Sequence, residues 1–297
     1  MPVGTDHGVR RVVCLGDLMV DVLARLPGPL AIGSDTPAPI AILGGGSAAN
    51  TAAWLVSAGT PARFVGCIGD DALGRAALDA LATAGVDVDV HVDAALPTGT
   101  CLVLVDPSGE RTMVPSAGAN TVPAAVPDFE ATDWLHVSGY ALFHEGNRVG
   151  ETIAAARSAG CGVSVDAASS APLREYGPRR FLADVSPALL FANRDEARVL
   201  TGLDDIAGAA RQLGQRCGEA IVKDGAAGSV WSDGAQVITA GCNRVAVLDS
   251  TGAGDAFAAG VLAARARGGD VAEALRAGNG LAARAIIAVG GRPISNR

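Results

Sequence analysis

Apolar and polar positions along the chain follow two alternating rhythms. Short runs of aliphatic and β-branched residues at 11–15, 62–68, 133–137, 162–166, 189–192 and 220–223 have strand length and are apolar on both sides, as buried parallel strands are. Between them, Ala-rich stretches with apolar residues three and four apart predict helices over 47–58, 71–84, 147–159, 194–200 and 206–216. Gly59, Gly85 and Gly160 stand just past three of these, where helices commonly end in a left-handed turn. Alternating β and α units predict a mostly parallel sheet covered by helices on both faces. Two segments break the rhythm. Residues 17–43 are extended and Pro-rich without a helical period, and Thr100–Val105, a Pro-Ser-Gly turn and Arg111–Val114 read as a hairpin. Segments of approximately 17–43 and 98–116 therefore predict a small β flap outside the main sheet. With no linker, composition shift or repeat, 1–297 reads as a single domain.

Composition narrows the function classes. Hydrophobic residues are 49% and charged residues 18% of the 297, enough apolar material for a core and the opposite of a disordered chain. The net charge of −8, with arginines scattered along the chain, argues against a nucleic-acid partner. No run reaches the roughly 18 apolar residues of a membrane helix. The start carries no basic segment followed by an apolar one, so a cytoplasmic protein is expected. The six cysteines lie at least 25 residues apart with no Cys-x-x-Cys pair, and read as buried thiols, neither a disulfide framework nor a zinc site. The four histidines show no metal-ligand spacing, and His136, inside a strand, is expected in the core. Of 23 basic residues only Lys223 is a lysine, which singles it out, although a leftover lysine needs no reason.

The most informative stretch is Val247–Gly260, where a polar Gly-rich turn runs directly into an apolar helix. Small residues at 252–254 let the backbone approach a ligand, while unpaired amides and the positive helix end favour an anion. Asp255 adds a carboxylate to the first turn, placed to take a proton from a hydroxyl attacking phosphorus. Taken alone, Gly-x-Gly-Asp reads equally as a tight turn with an acidic cap. A Walker loop is excluded, because Lys223 follows Val222 and precedes Asp224. Phe257 breaks the dinucleotide fingerprint, and no Gly-x-Ser-x-Gly hydrolase elbow occurs. Leu43–Ala53 again opens a helix with glycines and sets Asn50, both donor and acceptor for a polyol, on its first turns. Asp17 and Asp21 follow the first strand, where open α/β sheets bind ligands; solvated turn residues are the alternative. Lys223, with Gly225 and Gly228 after it, can meet a phosphate at a strand end. Asn193 and Glu196, three apart at a strand-to-helix junction, are oxygen donors suited to Mg²⁺ or its waters, or else an ordinary helix cap.

Together these residues resemble the PfkB (ribokinase-like) family of carbohydrate and nucleoside kinases. Two signatures carry the resemblance: Gly44-Gly-Gly-Ser-Ala-Ala-Asn50 with Phe64–Gly74, and Asp249-Ser-Thr-Gly-Ala-Gly-Asp255-Ala-Phe. Gly109-Glu-Arg-Thr-Met113, Asn193-x-x-Glu196 and Lys223-x-Gly225-x-x-Gly228 stand between them in the family's order. The resemblance implies a three-layer αβα domain with a mostly parallel central sheet and a small β-sheet lid that closes over the sugar and forms a homodimer contact. It implies transfer of the ATP γ-phosphate to a hydroxymethyl group, with Asp255 as base and the amides of Gly252, Ala253 and Gly254 as anion hole. Asp21, Gly45, Gly46 and Asn50 would hold the sugar, with Asp17 beside them and Arg111 reaching it from the lid. Asn193 and Glu196 would organise Mg²⁺; Lys223, Gly225 and Gly228 would line the nucleotide, and Asn279 its adenine side. Asp249, Thr251 and Ser295 would give oxygens to a monovalent cation such as K⁺. Met19 stands where ribokinase-like members carry a polar sugar ligand, Ala48 replaces a glycine and Ser250 a threonine. Because Met19 would suit an apolar ring, a nucleoside remains the alternative acceptor. A catalytically idle sugar or nucleotide sensor is a third reading, which the intact Asp255 and its Gly-rich turn oppose.

Overall fold

The computed structural model describes residues 9–293. The chain begins with β1 (Arg11–Leu15), crosses to β2 (Met19–Arg25) and β3 (Ile40–Gly45), and returns through α1 (Ser47–Ser57) to β4 (Ala62–Gly69), α2 (Ala72–Thr83) and β5 (Asp87–Asp93). A second excursion makes β6 (Thr100–Val105) and β7 (Arg111–Ser116) before β8 (Asp133–Ser138), α3 (Val149–Ser158) and β9 (Gly162–Asp166). Then follow α4 (Ser170–Tyr176), α5 (Pro178–Val185), β10 (Leu189–Asn193), α6 (Arg194–Thr201), α7 (Ile206–Cys217) and β11 (Glu219–Lys223). The chain closes with β12 (Ser229–Ser232), β13 (Val237–Ala240), α8 (Ala253–Ala266) and α9 (Val271–Ala285).

Nine strands form the main sheet in the order β13-β12-β11-β10-β9-β8-β1-β4-β5. From β11 to β5 the neighbours are parallel; β12 pairs antiparallel with both β11 and β13, so it alone runs against the rest of the sheet. One apolar core lies between the sheet and α1, α2, α8 and α9, around Phe64, Leu55 and Phe257. The other lies beneath α3 to α7, around Phe181, Leu190 and Leu135. This is the expected three-layer arrangement. The six predicted strands and five predicted helices are all present. His136 is in the core, where burial pushes its imidazole down to about 4.

The two segments that broke the rhythm pair into a separate sheet, β3-β2-β6-β7. Its inner face carries Asp21, Leu23, Cys101 and Val103, all buried. Across its outer face Ile42, Val22, Leu102 and Val114 align in one row, and three of these are exposed.

Four of the supporting helices begin with a side-chain cap, whereas the two that open on the main cleft do not. Asp71, Asn193, Asp205 and Asp270 each accept amides at the start of α2, α6, α7 and α9. Both α1 and α8 instead start on glycine, Gly46 and Gly252, without a cap from their own side chains. Both glycines have left-handed φ, 90° and 72°, and a Cβ there would come within 2.5 Å of Asp17 O or 2.4 Å of Gly291 O. Only glycine fits either junction. Those two helix starts meet at the carboxyl ends of β1 and β8, where chain order reverses across the sheet, the usual ligand crevice of an open α/β fold. Among the described residues no helix is long and apolar enough to cross a membrane.

Candidate active site

Asp255 lies in the first turn of α8 and is fixed by α1. One carboxylate oxygen accepts from the Ser47 hydroxyl at 2.8 Å and the other from Asn50 Nδ2 at 2.9 Å. Burial raises its pKa to about 7, although both hydrogen bonds pull the other way. Such a carboxyl accepts a proton near neutral pH and keeps a fixed orientation while doing so. The amides of Ala253, Gly254 and Asp255 begin α8 with no side-chain cap, leaving a positive helix end beside the carboxylate.

Lys223 reaches the same place from the end of β11. Its ammonium bonds Asp166 Oδ2, at the end of β9, at 2.7 Å, and a Cβ on Gly254 would stand 3.2 Å from it. Burial opposes its charge, but Asp166 and Glu196 outweigh that and hold its pKa up. A cation, uncapped amides and a carboxylate thus converge on one spot, the pattern required to hold a transferring phosphoryl group.

On the other side of Asp255, Asp21 is buried on the inner face of the small sheet, and burial lifts its carboxyl to about 6. Gly45, the last residue of β3, lies against its carboxylate, and Gly46 and Asn50 follow at the start of α1. Arg292, which sequence reasoning missed, closes this group: its Nη2 donates to Gly45 O at 2.9 Å and its Nε to Asn50 Oδ1 at 3.2 Å. Its Nη1 is buried and has no partner among the described residues, and burial lowers its pKa to about 10. The Gly290-Gly-Arg-Pro293 turn was the available signal. Ser47, Ser138 and Asp166 were also missed. Ser47 lay within the first signature, and the other two end strands at the crevice, a place that already favours function.

Several expected ligands are engaged with the protein itself. Asp17 accepts from the Ser47 amide at 2.9 Å and the Ser138 hydroxyl at 3.0 Å, so it ties β1 to α1 and β8. Asn193 and Glu196 form a reciprocal cap on α6; burial raises the Glu196 carboxyl, with Asp166 adding to this and Lys223 opposing it. Asn279 donates to Ala240 O at 3.0 Å and pins the end of β13 to α9. Gly228 lies against Ala240 and Gly241, and Gly225 starts the short turn between β11 and β12. Arg111 does not point at the Asp21 group: its guanidinium bonds Asp249 at 2.9 Å and the hydroxyls of Ser250 and Thr251. Ser295 lies outside the described residues.

Comparison with known proteins agrees with this geometry. The model of the pfkB family carbohydrate kinases matches residues 9–296. The chain is 34% identical over 273 residues to a fructokinase of Klebsiella pneumoniae, covering 87% of this chain and 85% of that one. It is likewise 34% identical over 277 residues to an ATP-dependent ribose-1-phosphate kinase of Halopiger xanaduensis, covering 88% and 85%. The crystal structure of adenosine kinase from Sinorhizobium meliloti superposes with a TM-score of 0.86 at 27% identity, over 97% of each chain. A carboxylate and a cation at an uncapped helix start, both signatures and a match along nearly the whole length lead to one conclusion: this chain belongs to the pfkB family of carbohydrate kinases, phosphotransferases that act on a sugar hydroxyl.

Proposed function

We propose that the protein transfers the γ-phosphoryl group of ATP to a hydroxymethyl group of a carbohydrate held by Asp21, Gly45, Gly46 and Asn50. Asp255 takes the proton of that hydroxyl as its oxygen bonds to phosphorus; the bond from phosphorus to the β–γ bridging oxygen breaks and ADP leaves. The amides of Gly252, Ala253 and Gly254 and the Lys223 ammonium face the developing negative charge. The observation that carries this reading is Asp255 itself, oriented by Ser47 and Asn50 at the start of an uncapped helix. Lys223, Gly225, Gly228 and Asn279 border the nucleotide side.

The nearby carboxylates suit Mg²⁺. Asp166 and Glu196 lie beside the single Lys223, so negative charge is in excess. Both Glu196 oxygens already accept from Asn193, which favours contact through metal-bound water. When bound, the ion would neutralise phosphate charge; Asn193 and Glu196 would hold its waters.

The outer row of Ile42, Val22, Leu102 and Val114 supports a homodimer that buries this face against a second copy, with the small sheet as a lid over the sugar. Free thiols at all six cysteines and the use of ATP are the grounds for placing the protein in the cytoplasm.

A nucleoside acceptor is the second reading. Met19 packs with Leu23, Cys101 and Val103 under the small sheet, an apolar surface suited to a base, and the adenosine kinase likeness points the same way. The deciding experiment is ADP release by purified protein across keto-hexoses, pentoses, ribose 1-phosphate and nucleosides, with mass analysis of products. Phosphorylation of a free sugar supports the first reading, and turnover with nucleosides alone replaces it with the second.

A further inference from the structure

Asp249 stands where the family resemblance would put a monovalent cation, yet its carboxylate is already satisfied by the protein. Oδ1 accepts from Arg111 Nη1 at 2.9 Å, the Thr251 amide at 2.9 Å and the Thr251 hydroxyl at 2.6 Å. Oδ2 accepts from the Gly290 amide at 2.9 Å. Arg111 also bonds the hydroxyls of Thr251 and Ser250, so one guanidinium spans the whole 249–251 turn. Although part burial works against ionisation, Thr251, Gly290 and Arg111 hold the Asp249 carboxyl below the usual range. A metal cation at this turn would compete with a fixed positive charge for oxygens that already have donors.

We propose that Arg111 is the cation of the Asp249–Thr251 turn, so that the enzyme needs no monovalent metal ion; the proposal rests on the kinase reading above. The turn leads straight into Gly252 and the α8 amides, so whatever neutralises Asp249 also sets the anion hole. Arg111 belongs to β7 on the inner face of the small sheet, 138 residues away in sequence. Its charge therefore reaches the turn only when that sheet lies over the site. Lid closure and anion-hole assembly become one event, with Arg111 as a positioning residue.

The test measures ATP turnover by the full chain at constant ionic strength in N-methylglucamine, sodium and potassium chloride. Wild-type rates are expected to agree within about twofold, because a bound guanidinium leaves nothing for the metal to neutralise. Arg111→Met should be slowed by at least about tenfold in N-methylglucamine and recover severalfold with K⁺ or free guanidinium, since the Asp249 charge is then unpaired. A wild type that depends on K⁺, or an Arg111→Met variant equally slow in every salt, overturns the proposal. Thermal denaturation in the same salts gives a readout that survives failure of the kinase reading. K⁺ should raise the midpoint of Arg111→Met and leave that of the wild type unchanged, and a K⁺-dependent rise in the wild type overturns the proposal even if no acceptor is turned over.

Discussion

At the residue scale the chemistry depends on the protonation of Asp255. In the proposed reaction it works as a base only when ionised, and burial raises its pKa to about 7. Activity is therefore expected to be full above that value and to fall as pH drops through it, visible as the acid limb of kcat/KM. Ser47 lowers that pKa through its hydrogen bond, so Ser47→Ala should move the limb to higher pH. Asp255→Asn should reduce kcat by roughly 10²- to 10⁴-fold, the usual worth of a general base, with little change in nucleotide affinity. The same substitution has an opposite effect on stability. A carboxyl whose folded pKa lies above its unfolded value destabilises the fold progressively as pH rises from about 4 to about 7, since the native state then holds the extra proton. At pH 8 the Asp255→Asn variant should melt at a higher temperature than the wild type, as expected where function is held at a cost in stability.

At the scale of elements, the site depends on two helix starts that no side chain of their own completes. Gly252 shows what this requires, because both its φ of 72° and the Gly291 carbonyl 2.4 Å from a Cβ exclude a side chain. Gly268 has a similar φ of 79° but nothing near it. Gly268→Ala is expected to cost only the left-handed backbone penalty, about 1 kcal/mol. Gly252→Ala must also displace the 290–292 segment and should cost several kcal/mol in urea unfolding. It should also weaken ATP binding, whereas Gly268→Ala should not. Local chemistry made the supporting helices legible: Asp71 and Asn193 are side-chain caps visible in the sequence. The missed elements lack such signals. Helices α4 and α5 are interrupted by Pro172, Gly177 and Pro178, and β5 is an edge strand whose alternate residues, Asp87, Asp89 and His91, face outward and hide its apolar half.

For the whole molecule, the outer row of the small sheet provides a test of assembly. Leu102 and Val114 are 41% and 55% exposed, and a charge between two such faces would be buried unpaired in a dimer. Leu102→Asp should convert the proposed dimer to a monomer in light scattering, while a wild type that is already monomeric removes the dimer from the proposal. The sequence by itself determined the alternation of strands and helices, the position of the extra sheet and the residues around Asp255. Hydrophobic period and turn chemistry act within a few residues, and the two signatures are continuous in the chain. Only the tertiary structure decided what those side chains touch. Arg111 bonds a turn 138 residues away, Arg292 closes on Asn50 across 242, and Lys223 pairs with Asp166 across 57. Such partners are brought together by sheet order and by the closing of one sheet over another, and a buried charge takes its partner from that packing, which no local pattern encodes.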